Sequence, residues 1–291
     1  MNLRLLGRTL AGAEPVLMGV VNATPDSFSD SPGPKRLEDV VALARAQVEA
    51  GAAVIDLGGE SGRTDTAAVA VEEEIARVVP AVERLTAEGV TVSVDTWRAA
   101  VADAALAAGA AMINDVSALS DPGVADACAR TGAALVITHT RIPPKTKGFP
   151  DYGDVVEDVF TLLRERSGVA GARGVRADQL VLDPGIDLAK TPAESVELLR
   201  RLPELHALGR PLLVSVSRKD FVGVLTGRPP AARLAGTLAA LGVAVDGGAA
   251  ILRVHDVAAA RDYLAVRAAV NGHARVGDGV RLDPGLRREA R

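Results

Sequence analysis

Short apolar runs, each ending in a polar residue, recur along the chain. Each is followed by a turn-rich stretch of Gly, Pro or Ser and then by an Ala-rich segment with helical spacing of its apolar positions. Eight such units can be read. The strand-like runs cover 16–22, 53–57, 90–95, 111–115, 134–139, 180–183, 211–217 and 249–255. The helical stretches cover 37–50, 71–87, 98–108, 123–131, 152–169, 192–208, 231–245 and 257–268. A strand that must pair in parallel with the next needs a crossover long enough for a helix, so the alternation predicts a parallel sheet. Eight units predict closure into a single-domain (β/α)8 barrel, the TIM-barrel class of α/β folds. The competing arrangement, an open doubly wound sheet, lacks its G-x-G-x-x-G phosphate fingerprint after the first strand. Residues 1–15 read as an entry element, 16–272 as the barrel, and 273–291, which lack an apolar period, as a poorly ordered tail.

Composition narrows the picture. Of 291 residues, 48% are hydrophobic but only 2% aromatic, so the core must be built from Ala, Val and Leu, which suits helices packed on buried parallel strands. A net charge of -4 and no extended Lys/Arg run argue against nucleic acid as a partner. The one cysteine, Cys128, lies in an Ala-rich helical stretch and reads as core. No apolar run is long enough for a membrane span and the N-terminus has no leader-like core, so a cytoplasmic location is expected.

In a barrel of this kind the residues that close the strands face the active site. Here they are Asn22, Asp56 with Gly58-Gly59-Glu60-Ser61, Asp95, Asn114 with Asp115, His139, Asp183, Ser217-Arg218-Lys219, and Arg253 with His255. Any one of them could be a turn former or a helix cap, and His255 before Asp256 could simply enter a helix. As a set they divide by chemistry. Asp95, Asn114, Asp183 and Lys219 offer the donors and acceptors that the edge of a flat 2-amino-4-oxo-pyrimidine ring would meet. Asn22, Arg63, Arg253 and His255 suit an anion such as a diphosphate. A Mg2+ held chiefly by phosphate oxygens would need only one or two protein oxygens, and Asn22 is placed to supply one.

At these residues the chain resembles the dihydropteroate synthase family, from about Val16 to Ala268. The motifs are Gly19-Val20-Val21-Asn22-Ala23-Thr24-Pro25-Asp26-Ser27-Phe28-Ser29-Asp30, Gly58-Gly59-Glu60-Ser61, Ser93-Val94-Asp95-Thr96, Ile113-Asn114-Asp115-Val116-Ser117, Leu182-Asp183-Pro184-Gly185-Ile186, Ser217-Arg218-Lys219 and Arg253-Val254-His255-Asp256-Val257. The resemblance implies Mg2+-assisted loss of diphosphate from 6-hydroxymethyl-dihydropterin diphosphate and attack on its methylene by the amine of 4-aminobenzoate. It implies that Asp95, Asn114, Asp183 and Lys219 hold the pterin, that Asn22, Arg63, Arg253 and His255 hold diphosphate and metal, and that Asp95, Asp183, Lys219 and Asp30 act in catalysis. Phe28 and Asp30 would lie on a long first loop that closes over the site. Family members are often homodimers through helices near the C-terminal end of the barrel.

Departures from the family pattern cluster at the amine end. Ser61-Gly62-Arg63-Thr64 stands for Ser-Thr-Arg-Pro, Asp187-Leu188 for Gly-Phe, and Asp220 for Ser or Thr. The amine pocket implied here is therefore Phe28, Thr64, Leu188 and Asp220. A carboxylate at 220 beside a substrate carboxylate brings like charges together unless a cation lies between them, with Lys145 and Lys147 as candidates. In the other reading Asp220 points to solvent and caps a following helix. Alternatives to a synthase are a paralogue taking another amine, a non-catalytic pterin binder, and a methyltetrahydrofolate-dependent methyltransferase, which would need neither Ser217-Arg218-Lys219 nor Arg253-Val254-His255.

Overall fold

The computed structural model describes residues 3–5, 8–10, 15–24, 36–60, 67–277 and 279–281. A small antiparallel hairpin, β1 (Leu3–Leu5) and β2 (Arg8–Leu10), precedes the main sheet and pairs Leu3 with Leu10. Eight parallel strands follow: β3 (Val16–Asn22), β4 (Val54–Gly58), β5 (Val92–Asp95), β6 (Met112–Asp115), β7 (Ala134–Thr138), β8 (Leu180–Asp183), β9 (Leu213–Val214) and β10 (Ile251–Val254). Their order is β8-β7-β6-β5-β4-β3-β10-β9. A parallel bridge between Leu182 and Leu212, with the Leu182 amide donating to Pro211 O at 3.0 Å, joins the two ends and closes the barrel.

The connections between strands are α1 (Leu37–Glu49), α2 (Val71–Ala87), α3 (Ala99–Ala107), α4 (Gly123–Thr131), α5 (Val155–Ala172) and α6 (Pro192–Arg200), then α7 (Asp220–Thr226) and α8 (Leu234–Asp246) between β9 and β10, and α9 (Val257–Val270) after β10. Their ends follow local chemistry. Asp154 caps α5 by accepting from the amides of Val156 and Glu157, and Thr191 and Glu194 form a capping box ahead of α6 with Pro192 in its first turn. Two predicted elements differ. The stretch 192–208 is not one helix: α6 ends at Arg200 and a 3-10 turn, Leu202–Leu208, follows. Pro203 accounts for this, because it lacks an amide hydrogen and disfavours helical backbone at the residue before it. The short helix α7 is not among the predicted helical stretches, although one reading of Asp220 had a helix follow it.

Alternation along the strands sorts side chains into two environments. Met18, Val54, Met112, Ala134, Val136, Val181, Leu213 and Ile251 point inward and form a closed apolar plug inside the barrel. Leu17, Ile55, Leu57, Val92, Val94, Ile113, Leu135, Ile137, Leu182 and Leu252 point outward under the helices. The inward parity above the plug is polar: Asn22, Asp56, Ser93, Asp95, Asn114, Thr138, Asp183 and Arg253. The plug therefore serves as the floor of a polar basin at the C-terminal ends of the strands. Among the described residues no helix is long and apolar enough to cross a membrane.

Candidate active site

The basin is organised around Arg253, which β10 projects inward. Its Nε donates to Asp56 Oδ2 at 2.6 Å and its Nη2 to Asp95 Oδ2 at 2.9 Å, so one guanidinium spans the ends of β4 and β5. Asn114 Nδ2 donates to the same Asp56 oxygen at 2.9 Å. Asp183 closes β8, and its Oδ1 accepts the Gly185 amide at 2.7 Å. This short bond turns the chain sharply back at Gly185, whose φ of +67° and whose contact with His139 O leave no room for a side chain. On the same layer Asp56 Oδ1, Asn114 Oδ1, Ser93 Oγ and Thr138 Oγ1 are buried without a hydrogen-bond partner among the described residues. Natural interiors rarely leave such groups unpaired, so a polar, planar ligand fits this layer.

Burial sets the protonation of the basin. It pushes the Asp95 carboxyl up to about 7, against the pull of Arg253, and the neighbouring Asp56 adds to the rise. Asp183 is likewise raised by burial, offset in part by the Gly185 amide and by Lys219. Lys219 is lowered by burial, while Asp187 and Asp183 favour its charged form. Arg253 is raised because Asp56 and Asp95 outweigh its desolvation. The site thus holds several carboxylates and two cations in one electrostatic unit.

At the adjacent rim Ser217 Oγ accepts the His255 amide at 3.2 Å and lies 3.0 Å from His255 Nδ1. Burial, together with Arg253 and Arg218, lowers His255 to about 4, so its imidazole is neutral at physiological pH. Arg218 turns away from the basin and clasps Asp256 at 2.9 Å, tying the β9 loop to the start of α9. Asn22, at the end of β3, lies beside Gly58, where a side chain would begin 3.1 Å from Asn22 Oδ1.

The predicted residues therefore do not all group as expected. Asp95, Asn114, Asp183 and Lys219 share one basin. Arg253, which the resemblance places at the anion end, pairs with Asp56 and Asp95, because inward parity on β10 aims it at the barrel axis. His139, counted as a strand-end residue, has outward parity: its Nε2 meets Asp158 of α5 at 2.8 Å, and it plays no part in the basin. Phe28, Asp30, Arg63 and Thr64 lie outside the described residues. Leu188 is half-buried on the loop after β8.

Asp220 begins α7 on its solvent side. Its side chain is 85% exposed and pairs at 2.9 Å with Arg233, a cation that the sequence reading did not consider. Lys145, one of the proposed counter-ions, sits instead 3.8 Å from Glu60. Nor does Asp220 cap α7. That role falls to Asp187, whose carboxylate accepts the Asp220 amide and, at 3.3 Å, the Phe221 amide. The sequence reading also passed over the weight of Asp56, although its place at an inward strand position ahead of Gly58 carried the signal.

The loop 184–189 that presents Asp187 and Leu188 is pinned from below by Lys190, which is 1% exposed. Its Nζ donates to Gly185 O at 2.9 Å and Leu188 O at 3.1 Å and lies 2.9 Å from His139 Nδ1. From above, Tyr152 Oη donates to Ala189 O at 2.8 Å. Burial lowers Lys190 to about 7 and His139 to about 3.

Comparison with known proteins agrees with this geometry. Residues 18–255 match the family described as pterin binding enzymes, which defines the chain as a pterin-binding (β/α)8 barrel. The dihydropteroate synthases of Synechocystis and Escherichia coli are each 41% identical to it, over 87% and 88% of this chain and 90% and 92% of theirs. The Xanthomonas albilineans dihydropteroate synthase solved with 4-aminobenzoic acid superposes with a TM-score of 0.87 at 45% identity, covering 93% of this chain and 98% of that one. The same enzyme solved with 7,8-dihydropteroate gives 0.84 at 44%, covering 93% and 99%. The chain belongs to the dihydropteroate synthase family.

Proposed function

We propose that this chain joins 6-hydroxymethyl-7,8-dihydropterin diphosphate to 4-aminobenzoate, releasing diphosphate and forming dihydropteroate. The observation that carries the reading is the inward layer of carboxylates and amide above an apolar floor, with Lys219 of the β9 loop acting electrostatically on Asp183, a set that suits the alternating edge of a pterin ring. The solved relatives named with 4-aminobenzoic acid and with 7,8-dihydropteroate support the two ends of the reaction.

In this reading Asp183 and Asn114 take the ring's N–H and amino groups, Lys219 donates to its carbonyl edge, and Asp95 faces the side where charge develops. The bond between the methylene carbon and the diphosphate oxygen breaks with its electron pair leaving on diphosphate. The amine nitrogen bonds to the methylene and then gives up a proton. Positive charge grows on the pterin as this happens, and Asp95 and Asp183, held in a buried basin, stabilise it without reorganising. Neutral His255 and Asn22 serve the anion end, and by resemblance to the family Arg63 would join them and Phe28 and Asp30 would help exclude water.

Among the described residues no group of three or more His, Cys, Asp or Glu side chains is placed to hold a metal. A Mg2+ would be held chiefly by diphosphate oxygens, with Asn22 as the protein residue to hold it, and would supply charge neutralisation for the leaving group. The deciding experiment is diphosphate release and product analysis with purified protein, Mg2+, the pterin diphosphate and 4-aminobenzoate. Dihydropteroate formed in step with diphosphate supports the synthase. Tight pterin binding with no release would mean a binding protein.

The chain also fits a homodimer. Val224 and Leu225 on α7 are 66% and 68% exposed, and with Pro192, Ala193 and Val196 of α6 they line a surface groove of about 850 Å³. Val243 of the neighbouring α8 extends the exposed apolar surface.

A further inference from the structure

Two carboxylates and one lysine interact electrostatically where the β8 and β9 loops rim the basin. Asp187 follows Asp183 on the pinned 184–189 loop, and its charge and that of Asp183 both act on Lys219. Among the described residues Arg233 is committed to Asp220, Arg253 to Asp56 and Asp95, and Lys190, below the loop, to the Gly185 and Leu188 carbonyls. The Asp187 carboxylate is held in place: it accepts the amides of Asp220 and Phe221 and is approached by Ser195 Oγ at 3.5 Å. Its backbone is in the left-handed region, with φ of +67°, where Asp, Asn and Gly are the residues most readily tolerated.

In the pterin-diphosphate reading the amine end lies at this rim, where Asp187-Leu188 stands in place of the family's Gly-Phe. We propose that Asp187 sets the charge of the second substrate: its fixed carboxylate disfavours an anionic arylamine and favours a neutral one of the same shape. The inference rests on the pterin-diphosphate reading of the basin and deepens it. Asp187 is a specificity-determining residue, acting through charge on the approaching amine and not on the reacting bonds. Asp220, exposed and paired with Arg233, contributes little to this selection.

The test compares 4-aminobenzoate with 4-aminobenzamide, which removes the charge and keeps the ring and the amine. Steady-state kinetics are measured with the full chain, Mg2+ and pterin diphosphate, in the native protein and in Asp187→Asn, which preserves the helix-capping oxygen and tolerates the positive φ. The expected result is a KM for 4-aminobenzoate about tenfold lower in Asp187→Asn, as removal of one like charge predicts, with kcat little changed and the KM for 4-aminobenzamide within about twofold of native. Equal changes for both amines, or none, would overturn the proposal, since a merely structural residue does not read charge. If Asp187→Asn fails to fold, Asp187→Gly, relaxed at this φ, takes its place. If the native protein releases diphosphate with neither amine, the synthase reading fails separately. The charge preference is then read by calorimetric titration of the two amines into protein saturated with Mg2+ and inorganic diphosphate, and equal affinities in native and Asp187→Asn protein would reject it.

Discussion

At the scale of single residues, the basin depends on one guanidinium holding two carboxylates apart from each other's charge. Arg253→Met leaves Asp56 and Asp95 facing each other in a buried site, and should destabilise the fold by about 3 kcal/mol in urea denaturation. Arg253→Lys should recover little of this, because a point ammonium cannot span both acids. Asp95 makes a second prediction through its raised pKa of about 7. If the ionised carboxylate is the form that meets the pterin, affinity for a reduced pterin should rise as pH is raised through about 7 and then level off. Asp95→Asn should bind more weakly and lose that dependence in fluorescence titrations; a pH profile identical to native would reject the role. The inward residues were legible in the sequence because strand parity and strand ends are written in it: Asn22, Asp95, Asn114 and Asp183 all follow from counting by two. The partners of Arg253, Asp187 and Asp220 were not, because each joins strands or loops far apart in sequence, and a charge does not announce which neighbour will satisfy it.

At the scale of elements, the seating of α5 on β7 depends on a neutral histidine. His139 has an ordinary value of 6.5 and is lowered to about 3 by burial and by Lys190. Between these values the unfolded chain binds a proton that the folded chain refuses, so stability falls as pH drops from about 6.5 towards 3. His139→Gln, which keeps an amide to face Asp158 and Lys190, should lower stability at pH 7 yet flatten the acid slope between pH 6.5 and 4. A slope as steep as native in that variant would show that other groups, His255 with its value lowered to about 4 among them, dominate the acid response. Elements themselves were legible in proportion to their length and periodicity. Helices α2 and α4 have the predicted bounds, whereas α7 has too few residues for a helical period to stand out, and it is fixed by a tertiary cap from Asp187 that no local pattern contains. The strand β9 is shorter than the apolar run 211–217 because Pro211 cannot donate to a ladder and Ser217 meets the β10 end through its side chain.

At the scale of the whole molecule, closure and polarity were both predicted by the eightfold alternation, while the outer surface was not, since exposure of an apolar residue depends on how neighbouring helices pack. The barrel buries nearly all its strand residues between floor and helices, yet α7 turns Val224 and Leu225 to solvent beside the groove of α6. These side chains lie one turn along the same short helix from its first residues, whose amides Asp187 holds at the basin rim, so a contact made there bears directly on an element of the site. An isologous contact between two such faces would bury the exposed valines and leucine in both copies at once. Val224→Asp combined with Leu225→Asp should therefore shift sedimentation from dimer to monomer, because a carboxylate cannot be taken into an apolar interface without a partner. The same pair of changes should raise the KM for the amine more than that for the pterin, since Asp187 of the amine rim is bonded to the first turn of α7 while Asp95, Asn114 and Asp183 stand on the strands. A chain that sediments as a monomer before any substitution would remove the dimer, and with it the expected kinetic effect of the outer face.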